Sequence, residues 1–187
     1  MEVFEALRDR RSITALTDEE PSRETVQRLI DAAVWAPNHQ LTEPWRFHVL
    51  AGQARQAMGE AIGDALANEL DLSDPISAGE AKSARVKLER APVVIVVSQE
   101  RSPDPTVDLE DYAACCCATQ NILLAAHAEG LAAKWRTGAM ASYRAALEHL
   151  GLGEDDRIVA YIYLGHPSPI APADKRTRKA PRINWLS

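Results

Sequence analysis

The chain has 187 residues, 46% hydrophobic and 26% charged, a mixture that fits one globular domain with a sizeable core and excludes a disordered or membrane-embedded class. With 27 acidic against 21 basic side chains the net charge is −6, a field that repels a polyanion and argues against nucleic acid as a partner. The longest apolar run, APVVIVV at 91–97, is too short to span a bilayer and the first residues lack the apolar core of a secretory leader, so a cytoplasmic location without membrane attachment is expected.

In chain order, Val3, Phe4 and Leu7 have helical spacing, and that helix frays at Arg10, Arg11 and Ser12. Pro21 and Ser22 open a second helix. Its Val26, Leu29, Ile30 and Ala33 repeat at i, i+3, i+4 and i+7, and it must stop before Pro37. The stretch WAPNHQLTEPW, 35–45, is then a helix-to-strand loop stiffened by two prolines. RFHVLA at 46–51 reads as a strand, and Ala54, Met58, Ile62 and Leu66 line one face of the next helix. Residues 74–92 have weaker periodicity and fit a lid-like helical insertion. PVVIVVS is a strand buried on both faces, because its side chains are apolar and β-branched throughout.

Residues 108–130 form a long helix closed by Gly130 and nearly free of charge through its middle. A helix apolar all round needs cover, and the matching helix of a second subunit is expected to supply it in a homodimer with this segment near its centre, burial within one subunit being the alternative. LAAKWRTG at 131–138 is a strand candidate, Ser142 is placed to cap YRAALEHLGLG, and RIVAYIYLGHP is the last strong strand. From Pro167 to Ser187 four prolines and DKRTRK are too polar for a core and predict an extended arm. Helices and strands alternate over a single domain, 1–187, which predicts an α+β sandwich around a mixed central sheet.

No dinucleotide, triphosphate, zinc-protease or GxSxG motif is present, and the five histidines lack metal-ligand spacing. Cys115, Cys116 and Cys117 are consecutive on a helix, where their thiols diverge, so packing is expected of them and metal binding is not. Three polar clusters remain. Arg10, Arg11 and Ser12 offer guanidinium forks that match phosphate oxygens, although such a triplet alone also fits a solvated surface. Trp35, Asn38 and His39 lie in the rigid loop, which suits a flat polar-edged ligand or simply a well-built connection. Lys134, Trp135, Arg136, Thr137 and Gly138 end a strand, where open sheets place ligands.

These clusters, carried by RRSI, APNHQLTEPWRFHVL, AEGLAAKWRTG and IVAYIYLGHP, resemble the flavin-dependent nitroreductase family, and within it the short NAD(P)H nitroreductases, over roughly the first 165 residues. The resemblance implies an intertwined homodimer with FMN at the subunit interface and NAD(P)H as co-substrate. It further implies ping-pong hydride transfer through the flavin N5 to a nitroaromatic, quinone or similar acceptor, with no catalytic side chain required. Dehydrogenation, dehalogenation, reaction with oxygen, or flavin binding without turnover are alternatives on the same scaffold. Carried over by position, Arg10, Arg11 and Ser12 meet the phosphate and ribityl chain, Trp35 and His39 come from the partner, and Trp135, Arg136 and Thr137 run along the ring. Arg178, with Arg176 beside it, completes the phosphate grip from the arm. The chain departs from the family at Leu41 and Glu43, where Asn and Gln are common.

Overall fold

A computed structural model describes residues 1–169 and 178–186. Its elements in order are α1 (Val3–Asp9), α2 (Arg23–Ala33), β1 (Trp45–Ala51), α3 (Gln53–Glu69), α4 (Pro75–Lys87), β2 (Val93–Gln99), α5 (Pro105–Ala128), β3 (Ala132–Arg136), α6 (Arg144–His149) and β4 (Arg157–Gly165). Single 3-10 turns at His39–Leu41, Leu88–Arg90 and Gly138–Ser142 link them. The strands form one sheet in the order β1-β2-β4-β3, every neighbouring pair antiparallel. Among the described residues, parallel pairing is confined to an isolated bridge between Ser12 and Ala133.

Strand alternation divides the core in two. Val93, Ile95 and Val97 of β2 face α2 and α5, packing on Leu29, Ala33, Ala118 and Ile122. Val94 and Val96 face the other way, onto Met58 and Ile62 of α3 and Ala81 and Ala84 of α4. A bulge where β4 passes Val97 and Ser98 absorbs one residue, so Ile158 and Tyr161 share the second face while Val159 and Ala160 share the first. The α+β sandwich thus has helices on both sides of a central sheet.

Local signals account for the helix ends. Ser22 accepts from the Thr25 N–H at the start of α2, and Asp74 and Asp104 cap α4 and α5, each followed by Pro at the first helical position. Ser142 does not cap α6: its hydroxyl donates to the Ala139 carbonyl inside the preceding 3-10 turn, and Tyr143 takes the cap position without a side-chain bond. Residues 74–92 are not a lid either. Helix α4 lies tightly on α3, because a Cβ at Gly59 would come within 2.1 Å of the Arg85 carbonyl oxygen and one at Gly63 within 2.3 Å of the Arg85 Cγ. Arg85 fixes the register of this pair by bonding Glu60 and, at 2.7 Å, Asp64.

Helix α5 is less uniform than its composition. Cys115 is buried and its thiol is pushed up to about 12 by desolvation, Cys116 is half-buried against the same core, and Cys117 is exposed, so the packing expected of all three is complete for the first, partial for the second and absent for the third. Among the described residues no group of three potential metal ligands converges. Asp108 is buried in the first turns of α5 and gathers three partners: Gln99 Nε2 at 3.0 Å, Arg101 through two bonds of 2.8 and 3.0 Å, and Arg157 at 3.4 Å. Asp108→Ala is expected to cost about 3 kcal/mol in urea unfolding, because those donors lose a shared acceptor. The hydrogen bond from Arg101 holds the Asp108 carboxyl below the usual carboxylate range against the opposing effect of burial. Its contribution is therefore complete above a pH of about 3.9, the unfolded value, and is lost as the pH falls from there through the folded one.

Candidate functional site

The end of α1 and the edge strand β3 meet through the Ser12 bridge to Ala133, which is completed by the Ile13 N–H bonding the Ala133 carbonyl at 3.4 Å. This brings the first and third polar clusters together. Arg10 lies just before the bridge, half-buried, and its Nη1 is shielded from solvent with no hydrogen-bond partner among the described residues. Its guanidinium is weakened as a base first by desolvation and then by the positive charges of Arg11 and Arg178. Three cations of one sign are thus held within electrostatic reach, an arrangement that costs stability unless an anion joins them.

Arg11 contributes charge there while its Nη1 donates to the carbonyls of Arg8 (2.6 Å) and Arg10 (2.9 Å), capping the open end of α1. Arg178 belongs to 178–186, a stretch exposed throughout and neither helix nor strand. Arg176 lies outside the described residues.

Across the bridge, Lys134 and Arg136 point to one face of β3 and Trp135 to the other. Trp135 packs on the core shared by α2 and α5, and its indole N–H donates to the Val159 carbonyl at 3.2 Å. Lys134 and Arg136 line a cavity of about 320 Å³ with Thr14, Leu16, Arg90 and Tyr163, a set that holds three cations and no carboxylate. The Arg136 guanidinium sits 5.3 Å from the Tyr163 ring centroid. Lys87 is close enough that Arg136 and Arg90 add to burial in pulling its ammonium below the usual range. The Tyr163 hydroxyl donates to the Lys87 carbonyl at 2.7 Å and ties the end of α4 to β4.

Sequence reasoning missed Lys87 and Arg90 and left Lys134 out of its site residues. The period of two along β3 was the available signal for Lys134. Nothing local marks the other two, which arrive through the packing of α4 on α3. Beyond Arg136 the exposed Thr137 leads into Gly138, whose φ of +82° lets the chain turn out of the sheet.

The second cluster stands apart from this cavity. Trp35, at 85% exposure, and the exposed His39 are not among its lining residues. Leu41 and Glu43, which depart from the family pattern, are exposed in the same loop. A larger cleft of about 670 Å³ between α2 and β1 is lined by residues such as Val26, Ile30, Phe47 and Val49, and contains none of the candidate site residues from the three polar clusters.

A sequence model of the nitroreductase family matches residues 7–166, a span that includes Arg10, Lys87, Arg90 and all of β3. The chain belongs to the nitroreductase family. It is 32% identical over 171 residues to the Escherichia coli (strain K12) protein named "Putative NAD(P)H nitroreductase YdjA", covering 89% of each chain. Among solved structures it is similar to a nitroreductase-like family protein from Bacillus cereus, with TM-score 0.81 and 28% identity over 97% of this chain and 92% of that one. A nitroreductase with bound FMN from Bacteroides fragilis matches with TM-score 0.76 and 25% identity over the full length of both chains. Within the nitroreductase fold, the two cationic regions therefore lie at either side of the Ser12 bridge, and the exposed loop carrying Trp35 and His39 projects from the end of α2.

Proposed function

We propose that the protein is an FMN-dependent oxidoreductase that draws electrons from NAD(P)H and reduces nitroaromatics, quinones or similarly activated acceptors, working as a homodimer. The observation that carries this reading is the buried Nη1 of Arg10, without a hydrogen-bond partner among the described residues, beside Arg11 and Arg178. A dianionic phosphate ester is the group such a cluster lacks. The cavity across the bridge fits the other end of the same molecule, since Lys134, Arg136, Arg90 and nearby Lys87 surround it with positive charge.

FMN, when bound, supplies the centre that accepts and returns a hydride. The protein's own side chains then hold and bias it. Arg10 and Arg178 grip the phosphate, and Arg11 adds charge while securing the end of α1. Ser12 meets the ribityl chain. Arg136 and Thr137 lie along the ring, with Trp135 as the half-buried support beneath them. The cations of the cavity favour negative charge on the pyrimidine edge and so make reduction easier.

Trp35 and His39 come from the second subunit. An 85%-exposed indole, the exposed Phe4 of α1, and the outward residues Leu109, Ala113 and Cys117 of α5 are apolar surface that a second copy would cover. The test is a visible spectrum of purified protein, with NAD(P)H oxidation measured with and without a nitroaromatic, and sedimentation of the same sample. Flavin bands, acceptor-dependent oxidation and a dimer are expected. A protein that stays colourless after incubation with FMN, or a single subunit that carries flavin at full occupancy, would overturn the reading.

A further inference from the structure

Between α2 and β1 the backbone takes a costly course. Gln40, Leu41 and Glu43 have φ values of 55°, 55° and 45°. In this left-handed region the Cβ crowds the following carbonyl oxygen, a conformation unfavourable for every non-glycine residue. Such conformations persist only where the surroundings leave no alternative. The three side chains do not supply that constraint, because all are exposed, Leu41 at 80%.

Hydrogen bonds supply it. The Glu43 N–H donates to Asn38 Oδ1 at 3.1 Å, and the Thr42 N–H to the His39 carbonyl at 3.4 Å, both within the loop. At the strand end the Pro44 carbonyl accepts from the Glu100 N–H at 2.8 Å. The middle of the loop is tied to α5 by the Thr42 hydroxyl, which donates to Asp111 Oδ1 at 2.6 Å. Asp111 is only 4% exposed, and a hydroxyl-to-carboxylate bond of this length is at the strong end of the range.

Asp111 is also a fixed post. It sits nearly one helical turn after Asp108, which is clamped by Gln99, Arg101 and Arg157, and next to Tyr112, whose ring lies 5.1 Å from the Arg157 guanidinium. The strain is therefore held by the bonds within the loop together with one strong bond to a firmly tied stretch of α5. It is not offset by packing of the loop's own side chains, which point outward.

We propose that Thr42 and Asp111 are positioning residues that latch the His39–Glu43 loop in the shape its ligand requires. This inference rests on the reading above, in which His39 and its neighbours meet a flavin held by the other subunit. It adds a residue pair in which Thr42 is loop backbone support and Asp111 acts through Thr42. Breaking the bond lets Gln40, Leu41 and Glu43 relax toward negative φ, so the loop loses its preformed geometry, and ligand binding must then supply the energy of ordering it.

The test compares Thr42→Val, which removes the hydroxyl at nearly constant volume, with Thr42→Ser, which keeps it. Thr42 is itself exposed, so neither substitution opens a cavity in the core. The first readout is amide hydrogen exchange in the purified protein. Thr42→Val is expected to speed exchange across residues 39–43 by about tenfold or more, the factor for a lost hydrogen bond to a carboxylate, with α5 unchanged and Thr42→Ser like the parent. The second readout is FMN affinity, expected to fall about fivefold or more in Thr42→Val and to be restored in Thr42→Ser. Unchanged exchange in Thr42→Val overturns the latch whether or not flavin binds. A loosened loop with unchanged FMN affinity overturns the positioning role. A parent protein that takes up no FMN defeats the proposed function and the positioning role with it, while exchange still decides whether the latch exists.

Discussion

Arg10→Ala is expected to weaken FMN binding by tenfold or more, the equivalent of about 1.5 to 3 kcal/mol for a charged hydrogen bond to phosphate. The same substitution should leave the thermal midpoint of the flavin-free protein unchanged or higher. In the free protein the Arg10 guanidinium has a shielded, unpartnered Nη1 and two like charges within reach, so its removal relieves an unfavourable arrangement. The opposite signs separate a ligand-binding arginine from a structural one. Riboflavin sharpens the comparison because it lacks the phosphate: the parent should prefer FMN to riboflavin, and Arg10→Ala should lose most of that preference. Equal FMN affinity in parent and variant, measured by flavin fluorescence quenching, would remove Arg10 from the site. Arg10→Lys keeps the charge without the planar fork and is expected to fall between the two.

Gly59→Ala is expected to destabilise the protein by about 3 kcal/mol, at the upper end of the range for overpacking. The added methyl would sit 2.1 Å from the Arg85 carbonyl oxygen, and both sides of that contact are helix backbone, so neither can rotate away. Helix α4 must shift as a body, and it carries Lys87, with Arg90 just beyond its end. Weaker FMN binding should accompany the loss of stability. Gly79→Ala is the matched control. A Cβ at Gly79 meets nothing within 4 Å, and replacing an exposed mid-helix glycine by alanine should stabilise by up to about 1 kcal/mol. Chemical denaturation of both variants decides the point, and a Gly59→Ala midpoint close to that of Gly79→Ala would show that the two helices can part at little cost.

Much of the architecture was legible in the residues because it depends on periodicity. The β-branched run at β2 and the i, i+3, i+4 spacing of α2 and α3 need no tertiary information, and Pro37 and Gly130 punctuate the chain wherever it goes. What escaped depends on contacts between distant segments. The 74–92 stretch looked like a lid because its face is built from Ala81 and Ala84, whose burial becomes apparent only when Gly59 and Gly63 let α4 close on α3. Ser142 has the right chemistry for a cap, yet its hydroxyl found a nearer carbonyl at Ala139. At the candidate site, RRS and KWRTG were readable as two clusters. That they converge follows from the Ser12 bridge to Ala133, a pairing across more than a hundred residues that no local pattern encodes. The strained backbone at Gln40, Leu41 and Glu43 was equally invisible, since none of them is a residue type that favours a positive φ.

The charges that flank Arg10 come from opposite ends of the polypeptide, Arg11 being its neighbour and Arg178 lying far downstream. A translating ribosome must therefore pass residue 178 before the full set can assemble. A shorter nascent chain lacks one of the three charges, so the anion-binding cluster matures only late in synthesis.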